Sequence, residues 1–125
     1  MIVNIIGVGG RMGNGDFTIG GSVNSALINL TKSLADRGVK EGVRVNAINP
    51  GSITTDRLQT RIRSYAQQHN LDEDQAVIEM AKSQGVTRFG ITDEIARAVV
   101  FLASPQSSYT NGAILDVDGG QTRAL

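Results

Sequence analysis

Three short runs of aliphatic and β-branched residues, at 2–6, 43–48 and 113–117, each stop at or just before a glycine turn. Runs of that length and bounding read as strands, and largely apolar ones as parallel strands covered on both faces. Parallel neighbours cannot be joined by a hairpin; each pair needs a long crossover, usually a helix. That requirement sets most of the architecture. The chain between the runs must supply helices, and the expected class is α/β.

The intervening segments meet the requirement. Val23, Leu27, Leu30 and Leu34 fall at i, i+4, i+7 and i+11, one stripe of a helix expected over 20–37, and Gly38 is placed to end it. Residues 56–69 are polar with helical propensity after a start at Thr55-Asp56. Asp72 and Gln75 have the spacing of a capping box ahead of another apolar set. Thr92 is placed to cap a helix over 92–103, buried along Ile95, Val99 and Leu102 and ended by Ser104-Pro105. Seven glycines lie between Gly7 and Gly21, and this stretch is expected to be a loop that bends sharply or approaches something closely. Three strands are few for a doubly wound sheet, and a strand at residue 2 presents an apolar edge. The pattern is that of a part of a larger sheet.

Composition removes several function classes. Twelve basic residues balance twelve acidic ones, so no basic surface argues for nucleic acid. No apolar run approaches the roughly 18 residues of a membrane span, and the first residues lack the basic flank of a signal peptide. Cysteine is absent, which leaves no thiolate metal site and fits a cytoplasmic setting. No metal site is expected elsewhere: His69 reads as a solvated helix end, and Asp72, Glu73 and Asp74 as the start of a helix. Arg57, Arg61 and Arg63 read as a solvated helical face.

Three stretches, in order, resemble the short-chain dehydrogenase/reductase family. They are Ile2-Val3-Asn4-Ile5-Ile6 with the loop and the helix Asn24–Ala35; Gly42-Val43-Arg44-Val45-Asn46-Ala47-Ile48-Asn49-Pro50-Gly51-Ser52-Ile53-Thr54-Thr55; and the run from Arg88-Phe89-Gly90 to Val117-Asp118-Gly119-Gly120. The resemblance implies that residues 1–125 form a single partial domain. It would be the C-terminal half of a Rossmann-like doubly wound parallel sheet, with the pyrophosphate turn in the other half. The glycine cluster at 9–13 is read as a loop, since phosphate binding needs a short strand-to-helix turn with its amides at a helix N-terminus.

The family transfers hydride between nicotinamide and a carbonyl or alcohol carbon, using a serine, a tyrosine and a lysine four residues after the tyrosine. Laid on this chain without gaps, those positions are Gly7, Gly20 and Asn24. Glycine has no side chain, and asparagine has no charge to depress a phenol's pKa, so no catalytic residue is assigned. The resemblance does imply cofactor contacts: Pro50 and Gly51 as the turn, Ile53 through its backbone, Thr55 through its hydroxyl, and Asn24 toward a ribose. The alternative for Thr55 is a helix N-cap, and for Asn24 a helix surface. An intact domain would bind NAD or NADP; this chain alone is expected to bind it weakly or not at all. Two functions follow: an oxidoreductase of this family, inactive as this fragment, or a non-catalytic oligomerisation or nucleotide-binding module. The expected partner is a second copy or the missing N-terminal half.

Overall fold

The computed structural model describes residues 1–123. Strand β1, Ile2–Ile5, is followed by short 3-10 turns at Val8–Gly10 and Gly15–Phe17 and by helix α1, Thr18–Glu41. Strand β2, Val45–Pro50, leads to helices α2, Asp56–His69, α3, Glu73–Ser83, and α4, Thr92–Ala103. A last 3-10 turn, Pro105–Ser107, precedes strand β3, Ile114–Val117. The sheet order is β1-β2-β3 and both pairings are parallel, with Ile2 opposite Val45 and Ala47 opposite Ile114.

Burial follows from that order. Every residue of β2 from Val45 to Asn49 is buried, as expected for the strand with neighbours on both sides. Strand β1 has a partner on one side only, and Ile2 and Ile5 remain about half exposed. A second apolar cluster lies away from the sheet, where Leu58, Ile62 and Ala66 of α2 meet Ala76, Met80 and Ala81 of α3, with Val86 and Phe89 closing it.

Asparagines tie the sheet to its surroundings. Asn4 Nδ2 donates to Thr31 Oγ1 in α1 at 2.9 Å. Asn46, fully buried, donates to Thr110 O and accepts from Ala113 N, both at 2.9 Å. Asn111 accepts from Val45 N and donates to Ala35 O. The buried amide of Asn46 thus has both of its sides engaged, which is the condition for burying it without penalty.

Several sequence expectations shift. Helix α1 does not stop at Gly38; it runs to Glu41 and ends at Gly42, whose φ of 68° is the left-handed cap. Gly38 is instead buried against the chain returning into β2, where a Cβ would stand 2.1 Å from Val43 O. Its small size was a packing signal, not a stop signal. The buried face of α1 carries Thr31, Ala35 and Gly38, while Val23 and Leu30 of the expected stripe lie exposed. Thr92 is the first residue of α4, not its cap. The cap position is Ile91, whose N–H is taken by the Glu94 carboxylate at 2.9 Å. Asp72 does cap α3, accepting from Gln75 N at 2.7 Å. The loop is shorter than the glycines suggest, because Gly20 and Gly21 already belong to α1.

Candidate functional site

The parallel strands end at one edge of the sheet, and the segments leaving them converge there. Leaving β2, Gly51 N donates to Val117 O at 3.1 Å, and a Cβ at residue 51 would lie 2.8 Å from Asp118 Cα. Only glycine lets the two chain ends approach so closely. Farther along, Ser52 O accepts from Gly90 N at 3.0 Å and Thr54 N donates to Gly90 O at 2.8 Å, a parallel bridge centred on Ile53. Ser52 Oγ donates to Gln84 at 2.6 Å. In such a bridge the central residue's own N–H and C=O face the other way. Neither group of Ile53 has a hydrogen-bond partner among the described residues.

Thr55 is the N-cap of α2, its hydroxyl oxygen accepting from Leu58 N at 3.4 Å. That use leaves the hydroxyl hydrogen free to donate outward. The cap reading is therefore correct, and it does not compete with a ligand contact. Beside this segment the Asp118 carboxyl is pulled two ways. Burial pushes its pKa up, but its neighbours Thr122 and Gly120, whose backbone amides donate to it at 2.7 and 2.9 Å, outweigh that and hold it below the usual carboxylate range.

On the other side lie Gly7, Gly20 and Asn24, the residues that the resemblance sets at the family's serine, tyrosine and lysine positions. A Cβ on Gly7 would lie 3.2 Å from the amide nitrogen of Asn24, and Gly20 is one helical turn before Asn24. Gly7 has a φ of 145°, a conformation that resists any side chain. Gly7 N donates to the fully buried Asn49 Oδ1 at 3.3 Å; Asn49 Nδ2 donates to Asp116 Oδ1 at 2.9 Å; Arg11 Nη1 meets Asp116 Oδ2 at 3.0 Å. This chain of contacts, invisible as a motif, locks the loop onto the ends of β2 and β3. The amide of Asn24 has no partner among the described residues.

Gly9, Gly13 and Gly15 stand at the G-x-x-x-G-x-G spacing of a pyrophosphate turn, but the segment is a loop with two 3-10 turns, in line with the loop expected there. The local structure gives the loop other work. The amides of Gly10, Arg11, Asp16 and Phe17 are spent on Gly7, Val8 and Asn14, and Asp16 adds a negative charge to the loop, which disfavours a phosphate. The glycines at 9, 10 and 21 let the loop press on α1, where Cβ atoms would meet backbone or ring atoms at 2.9–3.1 Å.

The lesser candidates keep ordinary roles. His69 is exposed, stacked on Tyr65 at 3.9 Å with Nδ1 2.9 Å from Tyr65 O. Arg57 and Arg61 are exposed, and Arg63 lies 3.6 Å from Glu73. No helix among the described residues is long and apolar enough to cross a membrane.

The family model described as enoyl-(acyl carrier protein) reductase matches residues 1–122. The short-chain reductase protein NovJ of Streptomyces niveus is 38% identical over 120 residues, 96% of this chain and 44% of that protein. Among solved structures, L-sorbose reductase from Gluconobacter frateurii, complexed with NADPH and L-sorbose, superposes with a TM-score of 0.91 at 27% identity, over 98% of this chain and 47% of that one. A short-chain oxidoreductase from Pseudomonas aeruginosa PAO1, described as containing an atypical catalytic center, gives 0.85 at 30% identity, again over 98% and 47%. The chain spans less than half the length of these relatives.

Proposed function

The chain belongs to the short-chain dehydrogenase/reductase family, and we propose that it is the C-terminal half of an NAD(P)-dependent carbonyl or alcohol oxidoreductase, keeping the nicotinamide contacts and lacking the proton-transfer groups. Residues 1–125 then constitute one partial domain. The observation that carries this reading is the Ile53–Gly90 bridge, which holds the segment after β2 rigid while leaving the N–H and C=O of Ile53 free beside the Thr55 hydroxyl.

A bound nicotinamide would supply the hydride. Ile53 and Thr55 would orient its carboxamide, Pro50 and Gly51 shape the turn that presents them, and Asn24 offers an unengaged amide to a ribose hydroxyl. With Gly7, Gly20 and Asn24 at the family's serine, tyrosine and lysine positions, no group here moves a proton to or from a substrate oxygen. NADPH is present in the L-sorbose reductase complex and in a second structure of the Pseudomonas oxidoreductase, which supports the cofactor class. Because the pyrophosphate turn lies outside this chain in this reading, binding to the chain alone is weak or absent, and it turns over no carbonyl or alcohol substrate.

Nicotinamide mononucleotide, which needs no pyrophosphate turn, tests the reading. At millimolar concentration it is expected to shift the amide resonances of Ile53 and Thr55, and Thr55→Val is expected to remove the effect. Shifts confined to other residues, or a micromolar dissociation constant for NADH or NADPH by calorimetry, would overturn it.

A second reading, a non-catalytic oligomerisation or nucleotide-binding module, is favoured by the exposed apolar stripe Ile19, Val23 and Leu30 along α1. Its partner would be a second copy or the N-terminal half, in the cytoplasm, with no nucleic acid or membrane involved.

A further inference from the structure

Asparagine followed by glycine occurs at Asn14-Gly15 and at Asn111-Gly112. The pair carries its own chemistry. Once the glycine amide loses its proton, its nitrogen can add to the asparagine Cγ, because glycine has no Cβ to block the approach. The new N–Cγ bond closes a succinimide, the Cγ–Nδ2 bond breaks, and Nδ2 takes up a proton and leaves as ammonia. Water then opens the ring at either carbonyl. The product is aspartate, or an isoaspartate whose main chain runs through Cβ and Cγ, and nothing is oxidised or reduced.

The fold treats the two pairs differently. Asn111 is itself exposed, but every group the reaction needs is held there. Gly112 N, the attacking atom, donates to Val45 O at 2.8 Å. Asn111 Oδ1 accepts from Val45 N at 2.9 Å, and Nδ2, the leaving group, donates to Ala35 O at 3.0 Å. Ring closure at residue 111 requires that this junction with α1 and β2 come apart first.

At residue 14 nothing has to break. Asn14, Gly15 and Asp16 are exposed, and neither Gly15 N nor Asn14 Nδ2 has a partner among the described residues. The one bond present favours the reaction. Asp16 N donates to Asn14 Oδ1 at 2.8 Å, which folds the side chain back over the Gly15 peptide unit. Negative charge develops on Oδ1 as a nitrogen adds to Cγ, and an amide already aimed at that oxygen stabilises it.

We propose that Asn14-Gly15 is a site of spontaneous deamidation, and that the fold shields the same pair at Asn111-Gly112. The product sets a second negative charge beside Asp16, and isoaspartate also lengthens the backbone of the loop ahead of α1. Neither pair includes a residue of the proposed nicotinamide contacts, so the inference stands apart from that reading.

The full chain, aged in mildly alkaline buffer and then digested, reports both sites by peptide mass spectrometry. Conversion at residue 14 is expected to outpace that at 111 by about tenfold or more, the factor for breaking even one hydrogen bond beforehand. An isoaspartyl methyltransferase supplied with S-adenosylmethionine should label the peptide that holds residue 14. In urea, where the junction at 111 opens, the two rates should converge. Gly15→Ala is expected to slow conversion at 14 and leave 111 unchanged. That variant spares the fold, since a Cβ at residue 15 meets nothing within 4 Å and the φ there is not positive. Equal rates in the folded chain, faster conversion at 111, an undiminished gap in urea, or no slowing by Gly15→Ala would each overturn the proposal.

Discussion

Arg44 Nη1 donates to both the carbonyl and the hydroxyl of Ser107, at 2.9 and 3.0 Å. The same guanidinium also reaches Leu102 O, Thr110 O and Ser104 O at 3.2–3.3 Å. One cation at the entrance to β2 thus gathers the carbonyls at the C-terminal end of α4, where the helix dipole favours positive charge.

Removing Arg44 leaves several of these acceptors without a partner. Arg44→Ala is expected to lower unfolding stability by about 2–3 kcal/mol, the scale of hydrogen bonds to a charged group. Arg44→Lys should recover part of that loss, because an ammonium cannot span the same acceptors. Urea unfolding of the three proteins checks both; equal stability of Arg44→Ala and the parent would refute the assignment.

Acid should weaken the α3–α4 connection through Glu94. Hydrogen bonds from Arg88 first, then the Ile91 amide, hold its carboxyl at a pKa of about 2. A depressed folded-state pKa means the group stabilises the fold above its unfolded value near 4.5 and loses that contribution as pH falls toward 2. Stability is therefore expected to decline across this window, and Glu94→Gln should flatten that part of the profile. An unchanged acid limb in the variant would argue that other carboxylates carry it.

Asp116 should matter more than the arginine it pairs with. Asp116→Ala strands the buried Asn49 amide as well as Arg11, and a loss of about 1–3 kcal/mol is expected. Arg11→Ala leaves the Asn49–Asp116 bond in place and should cost less than about 1 kcal/mol, the range of a partly exposed ion pair. The reverse ranking by thermal unfolding would show that Arg11, and not Asp116, anchors the loop.

Self-association should run through α1 where its apolar residues lie uncovered. Val23→Glu combined with Leu30→Glu is expected to shift the chain toward monomer in light scattering at micromolar concentration, since each covered aliphatic side chain contributes roughly 1.5–3 kcal/mol. A parent chain that is already a compact monomer would remove the basis for this contact.

Much of the fold was legible because its signals were local. The runs at 2–6, 43–48 and 113–117 became parallel strands within two residues of the expected bounds. The Ile95, Val99 and Leu102 face of α4 also turned inward. What misled was any residue whose role is set by a distant neighbour. Gly38 resembles a helix stop until Val43 is seen beside it, and the hydrophobic stripe of α1 conceals that small residues face the sheet. At the site, the Thr55 cap could be read from the chain itself, whereas a role for Ile53 is implied only by the resemblance. The Gly7–Asn49–Asp116–Arg11 chain could not, since its members come from three separate segments with no shared spacing.

The place of β2 between two strands has a consequence for how the chain acquires its structure. Its partner β1 precedes it by a whole helix, and its partner β3 follows only after three more. Pairings so remote in sequence close slowly, because the loop entropy is spent before any contact repays it. On a ribosome, β2 would emerge able to zip to β1 long before β3 exists. Its second edge, Ala47 to Pro50, would wait bare through the synthesis of α2, α3 and α4. Expression yield should therefore depend on elongation speed through residues 51–113, with slow codons there lengthening the interval in which another nascent strand can capture that edge.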